Sequence, residues 1–263
     1  MKIAVCIKQV PSREWQPRLN DQKTWVREQD VSYEMNEPDA YALEEALRLR
    51  EKHSGEVVVC SAGPARVQTV VREALARGAD RAIHVEDDRL GAADASVVAA
   101  ALAAAMRDEQ FDLVLTGLQS DDQGHGQTGV LLAEGLGMVS STIIMDVQVE
   151  GGMLPASGGP QASVRVKREL EGGWFQWIAM PLPALLTIQS GINQLRYATL
   201  KGIMAAKKKE IRKVSLPDGL EPSQHIISLA VPTRSKQTRM IGGSPAEAAK
   251  ELVRSLREDA RAL

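Results

Sequence analysis

Aromatic side chains make up only 3% of this sequence. That is too few for the stacking platform on which single-stranded nucleic acid is held. No excess of positive charge stands in for them. The formal net charge is −2, with acidic and basic residues interleaved, so no duplex-binding face is expected. Cysteine is equally scarce, with Cys6 and Cys60 alone, both inside apolar runs. There is no CxxC and no Cys/His cluster, which excludes a structural zinc site and a disulfide framework and fits a reducing compartment. The histidines (His53, His84, His125 and His225) are scattered without metal-ligand spacing. No Ser/His/Asp arrangement or singled-out pair of carboxylates marks a hydrolytic centre. The apolar run of MKIAVCIKQV is too short and interrupted for a signal peptide, and no stretch reaches membrane-spanning length. These features predict a cytoplasmic protein that is neither membrane-embedded nor a nucleic-acid binder.

What is present is a β/α alternation. The 263 residues, 44% hydrophobic and 25% charged, suffice for one large domain or a domain with an extension. Residues 2–8, 56–61, 82–85 and 112–116 read as short buried strands. Between them lie helical patterns. Residues 37–52 turn Ala42, Leu43, Ala46 and Leu47 inward, with Asn36 placed as cap. Val67, Val70, Val71, Ala74 and Leu75 form a second stripe. A third helix runs from an Asp94 cap through Met106, and a fourth spans about 127–135. Strands and helices alternating at this spacing predict an α/β fold, a Rossmann-like parallel sheet with helices on both faces. Ligands bind beyond the carboxyl ends of such strands, here near Lys8, Ser61 and Thr116.

The second half changes character. Residues 141–149 alternate weakly. Residues 162–170 and 174–180 flank Glu171-Gly172-Gly173 as a β-hairpin, and residues 184–189 read as a buried strand. A short helix is expected near 199–207, and a charged amphipathic helix with a Ser244 cap from Pro245 onward. Residues 207–242 carry few periodic apolar residues, which predicts disorder or an extended arm wrapped on a partner. The expected division is a nucleotide-binding domain with its hairpin over 1–189, then a docking loop, arm and C-terminal helix over 190–263.

The run Val166-Lys167-Arg168-Glu169-Leu170-Glu171-Gly172-Gly173 leads to Gln176, Ile178, Pro183 and Leu185-Leu186-Thr187. This segment resembles the signature of electron transfer flavoprotein β subunits, with about ten constrained positions in a span of roughly 22 residues. Residues 36–52, the block Gly78-Ala79-Asp80-Arg81-Ala82-Ile83-His84-Val85, and Arg196-Tyr197-Ala198-Thr199-Leu200 with Lys207-Lys208-Lys209 are similar to other parts of that family. The likeness covers roughly residues 1–215 and, more loosely, the C-terminal helix. It implies an adenine-nucleotide α-hydrolase-like fold and a heterodimer with an α subunit that holds most of the redox-active FAD. It also implies AMP, or a second FAD in electron-bifurcating members, bound to the β subunit. Acyl-CoA and related flavin-containing dehydrogenases would supply electrons, and a quinone oxidoreductase would take them. The chain would then be an electron carrier rather than a catalyst, which agrees with the absence of a catalytic constellation.

The loop running Gly117, Leu118, Gln119, Ser120, Asp121, Asp122, Gln123, Gly124, His125, Gly126, Gln127, Thr128, Gly129 leaves a strand and enters a helix. Its glycines allow close backbone approach, and a helix N-terminus favours an anion. Gln127 and Thr128 can donate to phosphate, Gln119 and Asp122 can reach sugar or base, and His125 can meet phosphate. Taken alone, such a loop reads as a solvated turn with a helix cap. The family resemblance turns the reading towards a nucleotide, with every residue from Gly117 to Thr128 except Leu118 a candidate contact. The G-x-G-x-x-G within it follows the fourth strand rather than the first, so it is not a dinucleotide fingerprint. Ser157-Gly158-Gly159-Pro160 lies beyond the parallel sheet and reads as a turn.

By the same resemblance, Cys6, Asn36, Asp39 and Ala62 fall at nucleotide-contacting positions, Cys6 and Ala62 through backbone groups. Ile192 falls at the tip of a dehydrogenase-docking loop. Without the family, Asn36 reads as a plain helix cap, Cys6 as a small buried hydrophobe and Ile192 as an ordinary buried loop residue; Lys207-Lys208-Lys209 read as a solvated face or a contact with an acidic partner surface rather than a nucleic-acid patch. Bifurcating members place Val where Thr128 stands and Pro after the following glycine. Thr128-Gly129-Val130 therefore points to AMP. A non-redox nucleotide-binding regulatory module is the remaining alternative.

Overall fold

The computed structural model describes residues 1–150, 162–232 and 238–262. The elements, in chain order, are β1 (Lys2–Cys6), β2 (Gln9–Pro11), β3 (Tyr33–Met35), α1 (Glu37–His53), β4 (Glu56–Gly63), α2 (Gln68–Arg77), β5 (Arg81–Glu86), α3 (Ala95–Met106), β6 (Leu113–Gly117) and α4 (Thr128–Leu136). There follow β7 (Val139–Glu150), β8 (Ser163–Glu169), β9 (Phe175–Pro181), β10 (Ala184–Ile188), α5 (Leu200–Ala206), β11 (Ile211–Val214) and α6 (Pro245–Glu258). The main sheet has the order β11-β5-β4-β1-β6-β10-β7-β8-β9. All neighbours from β11 to β7 are parallel, and β8 and β9 extend the sheet as antiparallel strands. The predicted α/β class and the hairpin are both present.

Strand alternation divides the core in two. Ile3, Val5, Val57, Val59, Leu113 and Leu115 face α1 and α2 through Leu43, Leu47, Val71 and Leu75. Ala4, Cys6, Val58, Cys60, Ile83 and Val114 face α3 and α4 through Leu102, Met106 and Leu132. The central parallel strands are therefore covered on both faces, as their runs of uninterrupted apolar residues require. From β1 the chain steps outward through β4 and β5. It then returns across to β6 on the other side of β1, so the strand order reverses between β1 and β6. That reversal opens a crevice at their carboxyl ends.

Two expectations are corrected. Residues 207–242 are not wholly without regular structure: Ile211–Val214 forms β11, paired in parallel with β5 from Ile211↔Ala82 to Val214↔Val85. Nor does Lys209 belong to a solvated face. Its ammonium donates to the carbonyls of Leu75 (3.1 Å) and Ala79, closing the end of α2, where lysine complements the helix dipole. The compact units are Met1–Leu229 and Ala230–Leu263. Within the second, α6 begins in a capping box, with Glu247 N donating to Ser244 Oγ and Ser244 N donating to Glu247 Oε2. Ser157-Gly158-Gly159-Pro160 lies outside the described residues.

Candidate functional site

At the strand reversal lies a cleft that opens to solvent, at the place where ligands bind in such sheets. The carboxyl end of β1 supplies Cys6, Ile7 and Lys8, β4 supplies Ala62, and the loop from β6 to α4 supplies the opposing wall. Asn36 and Asp39 enter from the start of α1. Of the residues predicted from sequence, Gly117, Gln119, Ser120, Gln123, His125, Gly126, Gln127 and Thr128 also line the cleft. Asp121, Asp122 and Gly124 belong to the same loop but do not line the cleft.

The loop is held by α1. Asn36 does not cap its helix with its side chain, contrary to its sequence pattern. Its amide instead donates to Gln119 O (3.1 Å) and accepts from Asp121 N (2.9 Å). Three residues on, the buried Asp39 carboxylate accepts from Lys8 N (2.7 Å) and Gly117 N (2.9 Å). Burial pushes the Asp39 pKa up to about 7, although these backbone donors pull it down. Gly117 is required here, because a Cβ would lie 2.4 Å from Asp39 Oδ1 and 2.7 Å from Pro38 Cβ. Asn36 and Asp39 thus fix the loop and the strand ends rather than only facing a ligand.

α4 points its N-terminus into the cleft. Gln127 makes no side-chain cap bond, and the first intrahelical donor is Leu131 N, bonded to Gln127 O at 3.1 Å. The amides of Thr128, Gly129 and Val130 have no intrahelical acceptor, a geometry that attracts an anion. Gly129 lets the helix sit close to the sheet. A Cβ would lie 2.7 Å from Thr187 Cγ2 and 2.8 Å from Thr116 Oγ1.

The remaining chemistry is quiet. Burial holds the Cys6 thiol well above its ordinary pKa and pushes Cys60 up to about 12. Both thiols therefore stay neutral; Cys6 is apolar wall of the cleft and Cys60 is core. Among the described residues, no group of three or more His, Cys, Asp and Glu is placed to hold a metal ion.

Sequence reasoning missed two parts. One is the apolar wall of Leu90 and Ala93, beyond β5, with Val98 and Leu102 of α3. The rule that found Lys8, Ser61 and Thr116, applied to the end of β5, would have pointed to it. The other is the Lys8 side chain, whose Nζ lies 2.8 Å from Asp122 Oδ1. Ile192 is half-buried against the main core. The most exposed apolar residues of that stretch are Tyr197 at 90% and Leu200 at 84%.

Comparison with known proteins agrees with this architecture. The electron transfer flavoprotein domain family matches residues 23–219. The electron transfer flavoprotein subunit beta of Methylophilus methylotrophus is 36% identical over 269 aligned positions, covering 98% of each chain. The Homo sapiens protein of the same name is 35% identical, covering 99% of this chain and 98% of its own. That of Bacillus subtilis is 34% identical, covering 90% and 91%. A crevice at the strand reversal with an uncapped helix N-terminus, and near-full-length likeness to such distant relatives, lead to one conclusion: this chain belongs to the electron transfer flavoprotein β-subunit family.

Proposed function

We propose that this chain is the β subunit of a heterodimeric electron transfer flavoprotein and holds AMP in the cleft between β1, β4 and β6. The observation that carries the nucleotide is the N-terminus of α4, with its free amides beside the hydroxyl of Thr128. The apolar wall of Leu90, Val98 and Leu102 suits the base, and Asn36 and Asp39 hold the loop in position. FAD, held mainly by the α subunit, supplies the redox chemistry when bound. This chain supports that subunit, and the pair carries electrons from acyl-CoA and related dehydrogenases towards a quinone oxidoreductase.

Residues 1–189 act as the nucleotide-binding part and residues 190–263 as the docking and partner-wrapping part. Dehydrogenases dock near Ile192. The exposed Tyr197, Leu200 and Met204 support this placement, since they leave an apolar surface at that end of the fold. No described helix is long and apolar enough to cross a membrane.

Purification with the α subunit is expected to give one FAD and one AMP per heterodimer. Two FAD would replace this reading with the electron-bifurcating one, against which Thr128 and Val130 stand. A heterodimer that no flavin dehydrogenase reduces would favour a regulatory module instead.

A further inference from the structure

Lys8 is the one lysine or arginine lining the cleft among the described residues. Its ammonium has three donors, and the loop meets all three. Asp122 Oδ1 lies at 2.8 Å, Gln123 Oε1 at 3.3 Å and Ser120 Oγ at 3.4 Å. The neighbouring rim is acidic. Asp121 accepts from Arg13 (3.2 Å) and from Glu37 N (3.4 Å), and Arg13 is shared with the Glu37 carboxylate. Three carboxylates thus stand against two cations. At the far end of the loop, the α4 terminus offers roughly half a positive charge, effective only over its first turn.

We propose that Asp122 is a specificity-determining residue: by occupying Lys8, it restricts the cleft to nucleotides with a single phosphate group. This rests on reading the cleft as the AMP site. One phosphate is served by the amides of Thr128, Gly129 and Val130. A second extends beyond that turn, where a free lysine would strengthen its hold. The one lining cation is already neutralised by Asp122, and Asp121 and Glu37 repel further negative charge. The same rim disfavours the paired phosphates of a flavin dinucleotide.

The test is calorimetric titration of AMP, ADP and ATP into the full chain with its partner subunit, after removal of bound nucleotide. The wild type is expected to prefer AMP. Asp122→Asn frees Lys8 and should raise ADP affinity relative to AMP roughly tenfold, the scale of releasing one charge near the protein surface. In the double variant Lys8→Met/Asp122→Asn that gain should disappear. If Asp122→Asn does not fold, Lys8→Met alone carries the test, because it leaves Asp122 unpaired and should weaken ADP further relative to AMP. An unchanged AMP-to-ADP ratio in these variants overturns the filter and leaves the AMP site standing. A wild type that binds no AMP overturns the site reading and the filter with it.

Discussion

Asp39 Oδ1 accepts a hydrogen bond from Gly117 N at 2.9 Å, while its Oδ2 accepts one from Lys8 N at 2.7 Å. One buried carboxylate therefore ties the carboxyl ends of β6 and β1 together, on the two sides of the strand reversal. Asp39→Ala leaves both amides without their acceptor. It should cost about 2–4 kcal/mol of stability at mildly acidic pH, read from urea denaturation. It should also weaken AMP binding, because the loop loses its anchor.

The same carboxylate makes stability depend on pH. Its pKa is about 7 in the folded chain against an ordinary 3.8, so between those values the folded state binds the extra proton. The sign follows from linkage: this contribution is complete below about pH 4 and is lost as pH rises through about 7. Asp39→Asn cannot titrate. Wild type should therefore lose stability relative to Asp39→Asn on raising the pH from about 5 to 8, by on the order of 2–4 kcal/mol. A constant difference across that range would refute the assignment.

At the amino ends of the strands the sign reverses. Glu109 meets Lys2 (2.8 Å), Arg81 (2.7 Å) and Arg212 (2.9 Å), joining residues of β1, β5 and β11. Burial alone would raise its pKa, but Arg81 and Lys2 outweigh that and hold it at about 2. Its stabilisation is present above the ordinary carboxylate range and is lost as pH falls through about 2. Glu109→Gln should cost roughly 1–3 kcal/mol near neutral pH. Chemical denaturation at descending pH should show the gap to wild type narrowing.

Gly129→Ala tests how α4 is seated. The added methyl would meet Thr187 and Thr116, both buried and both short side chains that cannot swing aside. Overpacking should cost about 1–3 kcal/mol. The α4 amides would move off the cleft, so AMP affinity should fall in calorimetry even where the variant remains folded.

These three sites belong to parts of the fold that differ in how visible they were beforehand. The β/α alternation was legible because α1 and α2 keep apolar residues at helical spacing and the inner strands are apolar on both faces. The end-of-strand rule located the cleft from Lys8, Ser61 and Thr116. Asn36 shows where local reasoning stops. Its position before a helix signals a cap, yet its partners Gln119 and Asp121 lie 83 and 85 positions away, and no local pattern reports a long-range competitor. The four-residue β11 was hidden for another reason: it is an edge strand with Arg212 and Lys213 in its middle, so it carries no apolar run. Residues 166–187, the most recognisable stretch, form the hairpin and β10. They shape the far side of the sheet and line none of the cleft.

Arg196 joins the segment after β10 to α1, and its removal tests whether that join matters for docking. Its guanidinium grips Glu44 through Nε (2.7 Å) and Nη2 (3.0 Å), and Glu51 through Nη1 (2.6 Å) and Nη2 (3.2 Å). Glu44 is buried, so losing its partner strands a carboxylate away from water. Arg196→Ala should cost about 2–4 kcal/mol. Arg196→Lys should recover only part of this, since an ammonium cannot reproduce the planar fork. Because Ile192 and Tyr197 sit on the same segment, both variants should slow reduction by a dehydrogenase. The carrier's nucleotide content should stay unchanged, because the cleft lies at the other end of α1. If reduction slows only in proportion to lost AMP, the segment serves the nucleotide site instead, and docking must be placed elsewhere.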